Sequence, residues 1–595
     1  MIASSPKKRL LTFARFLPVA AVSLWALPAS AENLITNGAF DADTAGWWGN
    51  ASTSMTDPAD YVIEPATDGR LCVTMMASGK NPWDVILGYS NLALSAGKYY
   101  RIAFSATADV ARTVKFKTGM GEAPYSDYFL QTINVSPTAT DFDVTYLNLH
   151  EDAAGQFQFQ IGTPSKGVSA AGQFCIDNVV IEQVPDPAPI AYTTPSATGK
   201  PFKDYATMLK MGTAVDTPIF LSSPQHNAIV AGEFSAITPA NSMKMNLIQP
   251  TQGVWDFVDT DGLYSWAQAH GLEFRGHPLV WHTQAPSWLT DPKADGTDYT
   301  RDEMIAFMYA HIDALMGHFT PKLPYWDVVN EAIESDHTGV FTYRDTFWHK
   351  RIGDDFIELA FTHARAADPA AKLFYNDYNI EQMDAKSNRV FELVSALKAK
   401  GILDGVGLQS HYFAPGGIPD MAQIKANIER YNQIGVEVHI TESDFRIEQP
   451  FSDENKAAQT KFYSDLLQVC IDAPNCTHFT VWGVSDVDSW VPGTFPNMGY
   501  AHLWDANLMP KASYQGMASV FAKYNPDGTP IANGTGGSGG TGGGNDNPSP
   551  AASSTDSSGC TIAPPGAPTK TSAALALLGL FGVSLLSRRA SKRRA

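Results

Sequence analysis

Between residues 201 and 526 the chain keeps one rhythm, in which short apolar runs with a polar end alternate with longer stretches of helical spacing. The runs are LKMGTAV, FSAIT, EFRGHPLVW, PYWDVVNE, KLFYNDYN, GVGLQSH, VEVHITE and HFTVWGV. They are rich in β-branched and aromatic residues and read as strands. Segments such as DTFWHKRIGDDFIELAFTHARAAD lie between them and read as helices. Eight βα units of this kind predict an α/β domain, a (β/α)8 barrel. Residues 32–184 have another rhythm. Runs such as KYYRIAFSATA and GQFQFQIG alternate with period two and are separated by Gly, Asp and Pro, with no long helical stretch. This predicts an all-β, jelly-roll-like sandwich. Residues 185–200 are Pro-rich and join the two as a linker.

The two ends differ from both. Lys7, Lys8, Arg9 and Arg15, the apolar run 16–27 and the small residues Ala29, Ser30 and Ala31 read as a signal peptide over 1–31. Residues 527–560 form a Gly/Ser/Pro-rich linker. In 561–595 a short apolar run, 573–586, is followed by SRRASKRRA. That order resembles C-terminal sorting signals of bacterial surface proteins, with a plain membrane anchor as the alternative. The protein is therefore expected to be exported, and either secreted or held at a bacterial cell surface by sorting machinery. Five cysteines suit an oxidising compartment. Cys470 and Cys476 can close a small loop, Cys72 and Cys175 can staple the sandwich, and Cys560 is left over in the tail.

Composition narrows the function. A net charge of −19 over 595 residues argues against nucleic acid as a partner, because phosphate binding needs clustered Lys and Arg. It suits an exported protein, expected to be monomeric, acting on a neutral polymer. Four of the runs lead into polar groups, Asn330–Glu331, His411, Glu442 and Asp486, and polar strand ends are where barrel enzymes place their chemistry. Glu331 follows the fourth run and Glu442 the seventh, so the two can face each other across the barrel mouth. Paired carboxylates suit glycosidic bond cleavage. HExxH is missing, and residues 32–526 hold no nucleophile-elbow GxSxG and no phosphate-cradling glycine loop. His277 and His282 lack a matching ligand cluster, and no catalytic cofactor is expected.

GHPLVWHTQAPSW, WDVVNEA, YNDYN, QSH, ITESD and VWGVSDVDSW resemble, in order and spacing, glycoside hydrolase family 10, whose members are retaining endo-β-1,4-xylanases on a (β/α)8 barrel. The resemblance implies that Glu331 is the general acid/base and Glu442 the nucleophile. His411 and Asp444 would orient the nucleophile. Asn241, Lys244, His277, Trp281, Gln284, Asn330, Tyr378, Trp482 and Trp490 would bind sugar, with xylan and xylo-oligosaccharides as substrates. Departures stand in ANSMKM, where the family commonly has ENEMKW. Ala240 and Ser242 replace acids, Met245 an aromatic, and Ser443 takes a position usually apolar. These put the glycone-side subsite in question. A related retaining β-glycanase acting on mixed-linkage glucan or aryl cellobiosides, or a non-catalytic polysaccharide-binding surface protein, are the alternative readings.

NLITNGAFDADTAGWWGN and FCIDNVVIE, at the two ends of the sandwich, resemble the flanking strands of carbohydrate-binding modules of families 4, 9 and 22. That resemblance implies a structural calcium at Asp41 and Asp177. Trp83 and Tyr125, and with them Trp47, Trp48 and Tyr128, are candidates for stacking on sugar rings. On this reading the sandwich is a targeting module separable from the active site.

Overall fold

The structure is a computed structural model that describes residues 32–51, 59–163, 171–335 and 339–531. The predicted signal peptide, residues 532–560 of the C-terminal linker, with Cys560, and the tail 561–595 lie outside these residues.

The N-terminal region is a sandwich of two five-stranded antiparallel sheets. One runs in the order Trp47–Ala51, Val85–Leu94, Asp152–Gln160, Arg112–Gly119 and Asp127–Val135. The other runs Ala59–Thr67, Arg70–Ser78, Gly172–Val184, Lys98–Ala108 and Thr140–Asn148. Alternation along the strands turns Phe104, Phe116, Phe157, Phe159 and Phe174 inward; the first four pack edge to face between the sheets, and Phe174 packs at a tilt on Phe159. Cys72 and Cys175 sit opposite each other on neighbouring strands and are joined by a disulfide. The chain start is tied to the last strand through Leu34 N–H to Ile181 O.

The eight runs of the second region become eight parallel strands that close into a barrel. In order they are Lys210–Val215, Ala236–Pro239, Glu273–Gly276, Tyr325–Asn330, Lys372–Asp377, Gly405–Leu408, Glu437–Glu448 and Cys476–Val481, the last pairing with the first. Helices such as Arg301–Phe319, Phe356–Ala367, Ala385–Ala399 and Asp453–Asp472 follow individual strands and bury apolar faces on them. Cys470 and Cys476 are disulfide-bonded at the turn into the last strand.

The Pro-rich linker is built into the barrel surface. Tyr192 lies over Gly232, where an added Cβ would come within 2.1 Å of the ring, and its hydroxyl donates to the buried Glu233 carboxylate at 2.7 Å. Gln515 Nε2 donates to Pro195 O, and Thr194 Oγ1 is 3.0 Å from the Tyr514 hydroxyl. The sandwich also touches the barrel directly. His150 Nε2 lies 3.0 Å from Asp259 Oδ1, and the His150 ring stacks on Tyr128 at 4.2 Å. The short helix Thr217–Ser222, just past the first barrel strand, packs against Thr140–Asn148 and Asp127–Val135.

Candidate active site

The fourth strand ends on Asn330, and the next residue turns. Glu331 has φ 58°, in the left-handed region that a non-glycine residue enters at a cost of about 1–3 kcal/mol. Its backbone is held there by its own N–H to Asn376 O at 2.9 Å and by Arg344 Nε to its carbonyl at 2.8 Å. The half-buried carboxylate takes three donors: Trp281 Nε1 at 3.1 Å, Gln409 Nε2 at 3.2 Å and Asn330 Nδ2 at 3.2 Å.

Glu442 lies on the seventh strand and is only 5 % exposed. That strand runs on to Glu448 because its outer part pairs with His411–Ala414 and Met498–Gly499. Asn376 Nδ2 donates to Glu442 Oε1 at 2.7 Å and to Asn330 Oδ1 at 2.8 Å, while Thr441 Oγ1 fixes the amide's orientation at 2.7 Å. The two carboxylates are thus joined through two side-chain amides, Asn330 and Asn376. On its other oxygen Glu442 meets His411 Nε2 at 3.4 Å. His411 Nδ1 is 2.9 Å from Asp444 Oδ2, which also accepts from Trp490 Nε1 at 2.7 Å. Burial pushes the His411 imidazolium down, but Asp444 and then Glu442 outweigh it and raise the group to about 10. The imidazolium in turn holds the Asp444 carboxyl below its ordinary range against burial.

A second network leads off the pair. Lys244 Nζ lies 4.8 Å from the Trp281 ring centroid and donates to Asn241 Oδ1 at 3.1 Å. Gln284 Nε2 donates to the same oxygen, and Asn241 Nδ2 donates to Asp216 Oδ1 at 2.9 Å. Burial lowers the Lys244 ammonium, opposed by Glu442, Asp216 and Glu331. His277 Nδ1 is 2.9 Å from the buried Asp327 carboxylate, and its ring lies edge-on to Trp482 at 5.3 Å. Tyr378 stands apart, its hydroxyl accepting from Arg344 and its ring under Lys386. Of the substituted positions, Ser242 and Ser443 have buried hydroxyls without a partner, and Met245 is buried.

Residues 201–520, over half of the chain, match the pattern of glycosyl hydrolase family 10. The chain belongs to that family. Its family 10 domain is similar to "Endo-1,4-beta-xylanase D" of Talaromyces funiculosus, 38% identical over 313 residues, which are 52% of this chain and 74% of that protein. "Endo-1,4-beta-xylanase B" of Thermotoga neapolitana is 36% identical over 285 residues, 47% of this chain and 79% of that one. Among solved structures, xylanase 10B from Thermotoga petrophila RKU-1 in complex with xylobiose is similar with a TM-score of 0.51 and 34% identity. It covers 55% of this chain and 98% of that one. Residues 32–167 match a carbohydrate-binding domain.

The family 10 site holds residues that the sequence reading passed over. Asn376 and Gln409 each bind two of the groups named above, and Asp216 binds Asn241. Asn376 and Gln409 stand inside the motifs YNDYN and QSH, and that is the signal that could have marked them. In the sandwich, Trp47 and Tyr128 are core side chains: Trp47 packs on Phe40 and Phe159, and Tyr128 binds Asp152 and His150. Trp48 is half-buried and donates to Ser90 Oγ. Trp83 and Tyr125 are 56% and 59% exposed. Asp41 is exposed, and Asp177 accepts from the Asn178 N–H at 2.6 Å.

Among the described residues, one group of acid and histidine side chains is close enough to share a metal, Glu437, His439 and His478, near the opposite end of the barrel strands. Arg275 Nη1 lies 2.8 Å from His439 Nδ1. A guanidinium only donates, so Nδ1 accepts and the ring proton belongs on Nε2, facing Glu437 and Thr477. His439 then has no lone pair free for a metal.

Proposed function

We propose that the chain is a retaining endo-1,4-β-xylanase with Glu331 as acid/base and Glu442 as nucleophile. The observation that carries this reading is the contrast between the two acids. Glu442 is buried, and one oxygen takes the Asn376 amide while the other faces the His411 imidazolium, so it is held as an oriented anion. Glu331 is half-buried and held only by neutral donors. In the first step Glu442 attacks the anomeric carbon as the glycosidic C–O bond breaks, and Glu331 passes its proton to the departing oxygen. Glu442 is then an ester, and Glu331, having given up its proton, is the carboxylate beside it. In the second step Glu331 takes a proton from water, whose oxygen replaces Glu442 at carbon. The strained backbone of Glu331 fixes where that proton is delivered. Lys244, Asn241, Gln284, Trp281, His277, Trp482 and Trp490 are assigned to sugar binding, and the xylanases similar to this domain support xylan as substrate.

The separation of roles is testable. Glu442→Ala should abolish turnover of every substrate. Glu331→Ala should spare aryl xylobiosides with good leaving groups and yield a β-glycosyl azide when azide is supplied. An α-anomer as first product by NMR, or equal loss in both variants without azide adduct, overturns the assignment. Higher kcat/KM on mixed-linkage glucan than on xylan would replace the substrate and leave the mechanism standing. For the sandwich we propose polysaccharide recognition through the exposed Trp83 and Tyr125. Calcium at Asp41 and Asp177, both near the junction of the chain start and the last strand, remains a proposal that calcium titration of wild type against Asp177→Asn decides: binding heat in both, or in neither, removes it. Export follows from the N-terminal pattern and the two disulfides.

A further inference from the structure

Two barrel helices that meet the sandwich, Thr217–Ser222 and Val258–Ala269, also hold segment 240–245. Asp216 is the N-cap of helix Thr217–Ser222, its side chain accepting from Thr217 N–H, and the same oxygen accepts from Asn241 Nδ2. Helix Val258–Ala269 presents Asp259 to His150 of the sandwich, and its next residue, Thr260, donates through Oγ1 to Ser242 O at 2.9 Å. Thr260 is 1% exposed, so that bond is well shielded from water. One turn from Asp259 lies Gly262, where a Cβ would come within 2.5 Å of Leu149 Cδ1, so helix and sandwich are in close contact. The contact also includes a run of polar groups, Asp259, His150, Tyr128 and Asp152, crossing from one domain to the other. Ala240 and Ser242 provide no carboxylate to brace the segment from within.

We infer that the sandwich is a positioning element of the active site: by seating helices Thr217–Ser222 and Val258–Ala269 it fixes segment 240–245, and with it Asn241 and Lys244. The sandwich then has a second role beside any polysaccharide recognition, and it is not a separable targeting module. The kinetic form of this inference rests on the xylanase reading, and its structural form does not.

The test uses the full chain. Gly262→Ala puts a methyl against Leu149 while supplying a better helix former, so the barrel helix is not weakened by the change itself. His150→Glu sets a carboxylate against Asp259 and parts the same interface by charge. Hydrogen exchange should rise on sandwich residues 147–151 and, in step with them, on 240–248. KM for xylotetraose should rise on the order of threefold to tenfold, with kcat changed less than twofold. Leu149→Ala added to Gly262→Ala makes room for the methyl and should restore both readouts. A merely structural contact would lower Tm and leave KM alone. Faster exchange at 147–151 with unchanged exchange at 240–248 overturns the inference, whichever polysaccharide the enzyme cleaves. If wild type fails on xylotetraose, the substrate reading fails and the exchange data still decide this one.

Discussion

Replacing Asp444 with asparagine removes one charge and keeps the shape of the side chain. In the wild type Oδ2 meets both His411 Nδ1 and Trp490 Nε1, and Oδ1 is buried without a partner. The asparagine carbonyl can take the place of Oδ2, which leaves an unpartnered amide NH2 in the core at a cost of about 1–3 kcal/mol in stability. The larger consequence is electrostatic. The rise of His411 from 6.5 to about 10 corresponds to roughly 5 kcal/mol in favour of the imidazolium, net of burial. Asp444 is the largest favourable contributor, ahead of Glu442. If it supplies half or more of that energy, the variant's His411 loses its proton at least about 2 pH units earlier, near pH 8 or below. A neutral His411 with its proton on Nδ1 turns a lone pair toward Glu442, where the wild type offers an N–H. The sign follows from the raised value. In the wild type the imidazolium's contribution is complete below about pH 6.5 and fades only as pH rises through about 10. The pair weakens at the acid side as pH falls through the depressed value of Asp444. The kcat/KM profile of Asp444→Asn on p-nitrophenyl β-xylobioside should therefore stay near wild type at pH 5 and fall by roughly tenfold or more by pH 9. Imidazole nitrogen shifts should place the same midpoint on His411. Equal loss at pH 5 and pH 9, or profiles that superimpose above pH 7, would refute the reasoning.

Removing the Cys72–Cys175 bond, which spans 103 residues of sequence, should cost the sandwich about 2–5 kcal/mol, seen as a lower first transition in calorimetry while the barrel transition moves less. An unchanged first transition would mean that the cross-strand packing suffices alone. Ala240→Glu should raise kcat/KM on xylotriose and longer chains by roughly twofold to tenfold, the value of one hydrogen bond, and leave aryl xylosides unchanged. No gain on long substrates would mean that Asn241 and Lys244 already satisfy the sugar there.

The barrel was legible because strands covered on both faces read as unbroken apolar runs, and all eight runs became strands. Their ends were less so. EFRGHPLVW continues past its strand, which stops at Gly276, and only Val280 bridges on to Val329. VEVHITE is cut too short, because Glu437–Glu448 borrows partners from two other segments, so Glu442 sits inside a strand and not at its end. Asp486 lies beyond the last strand and binds Lys511. Glu331, Glu442, His411 and Asp444 could be named because each stands in a short motif. Asn376 and Gln409 tie them together through pairings across the barrel, and no local spacing encodes those. Strand parity separates two of the sandwich's aromatic candidates, the neighbours Trp47, which faces inward, and Trp48. It says nothing of Trp83, in the short 3-10 helix Pro82–Asp84, or of Tyr125, in a loop, because both lie off the strands.

The pinned linker changes how reach is to be counted. A free chain of sixteen residues would let the sandwich sample a volume set by polymer statistics, and its benefit to catalysis would be an effective concentration that varies with linker length. Here Tyr192, Thr194 and Pro195 are bound to the barrel, so the free span between the domains is at most residues 185–191, less than half of the linker. An insertion within residues 192–200 would not tune that concentration; it would disturb the seat of Tyr192 on the buried Glu233 carboxylate. Whatever takes the place of the sandwich must therefore join ahead of Tyr192, and it must also seat helices Thr217–Ser222 and Val258–Ala269.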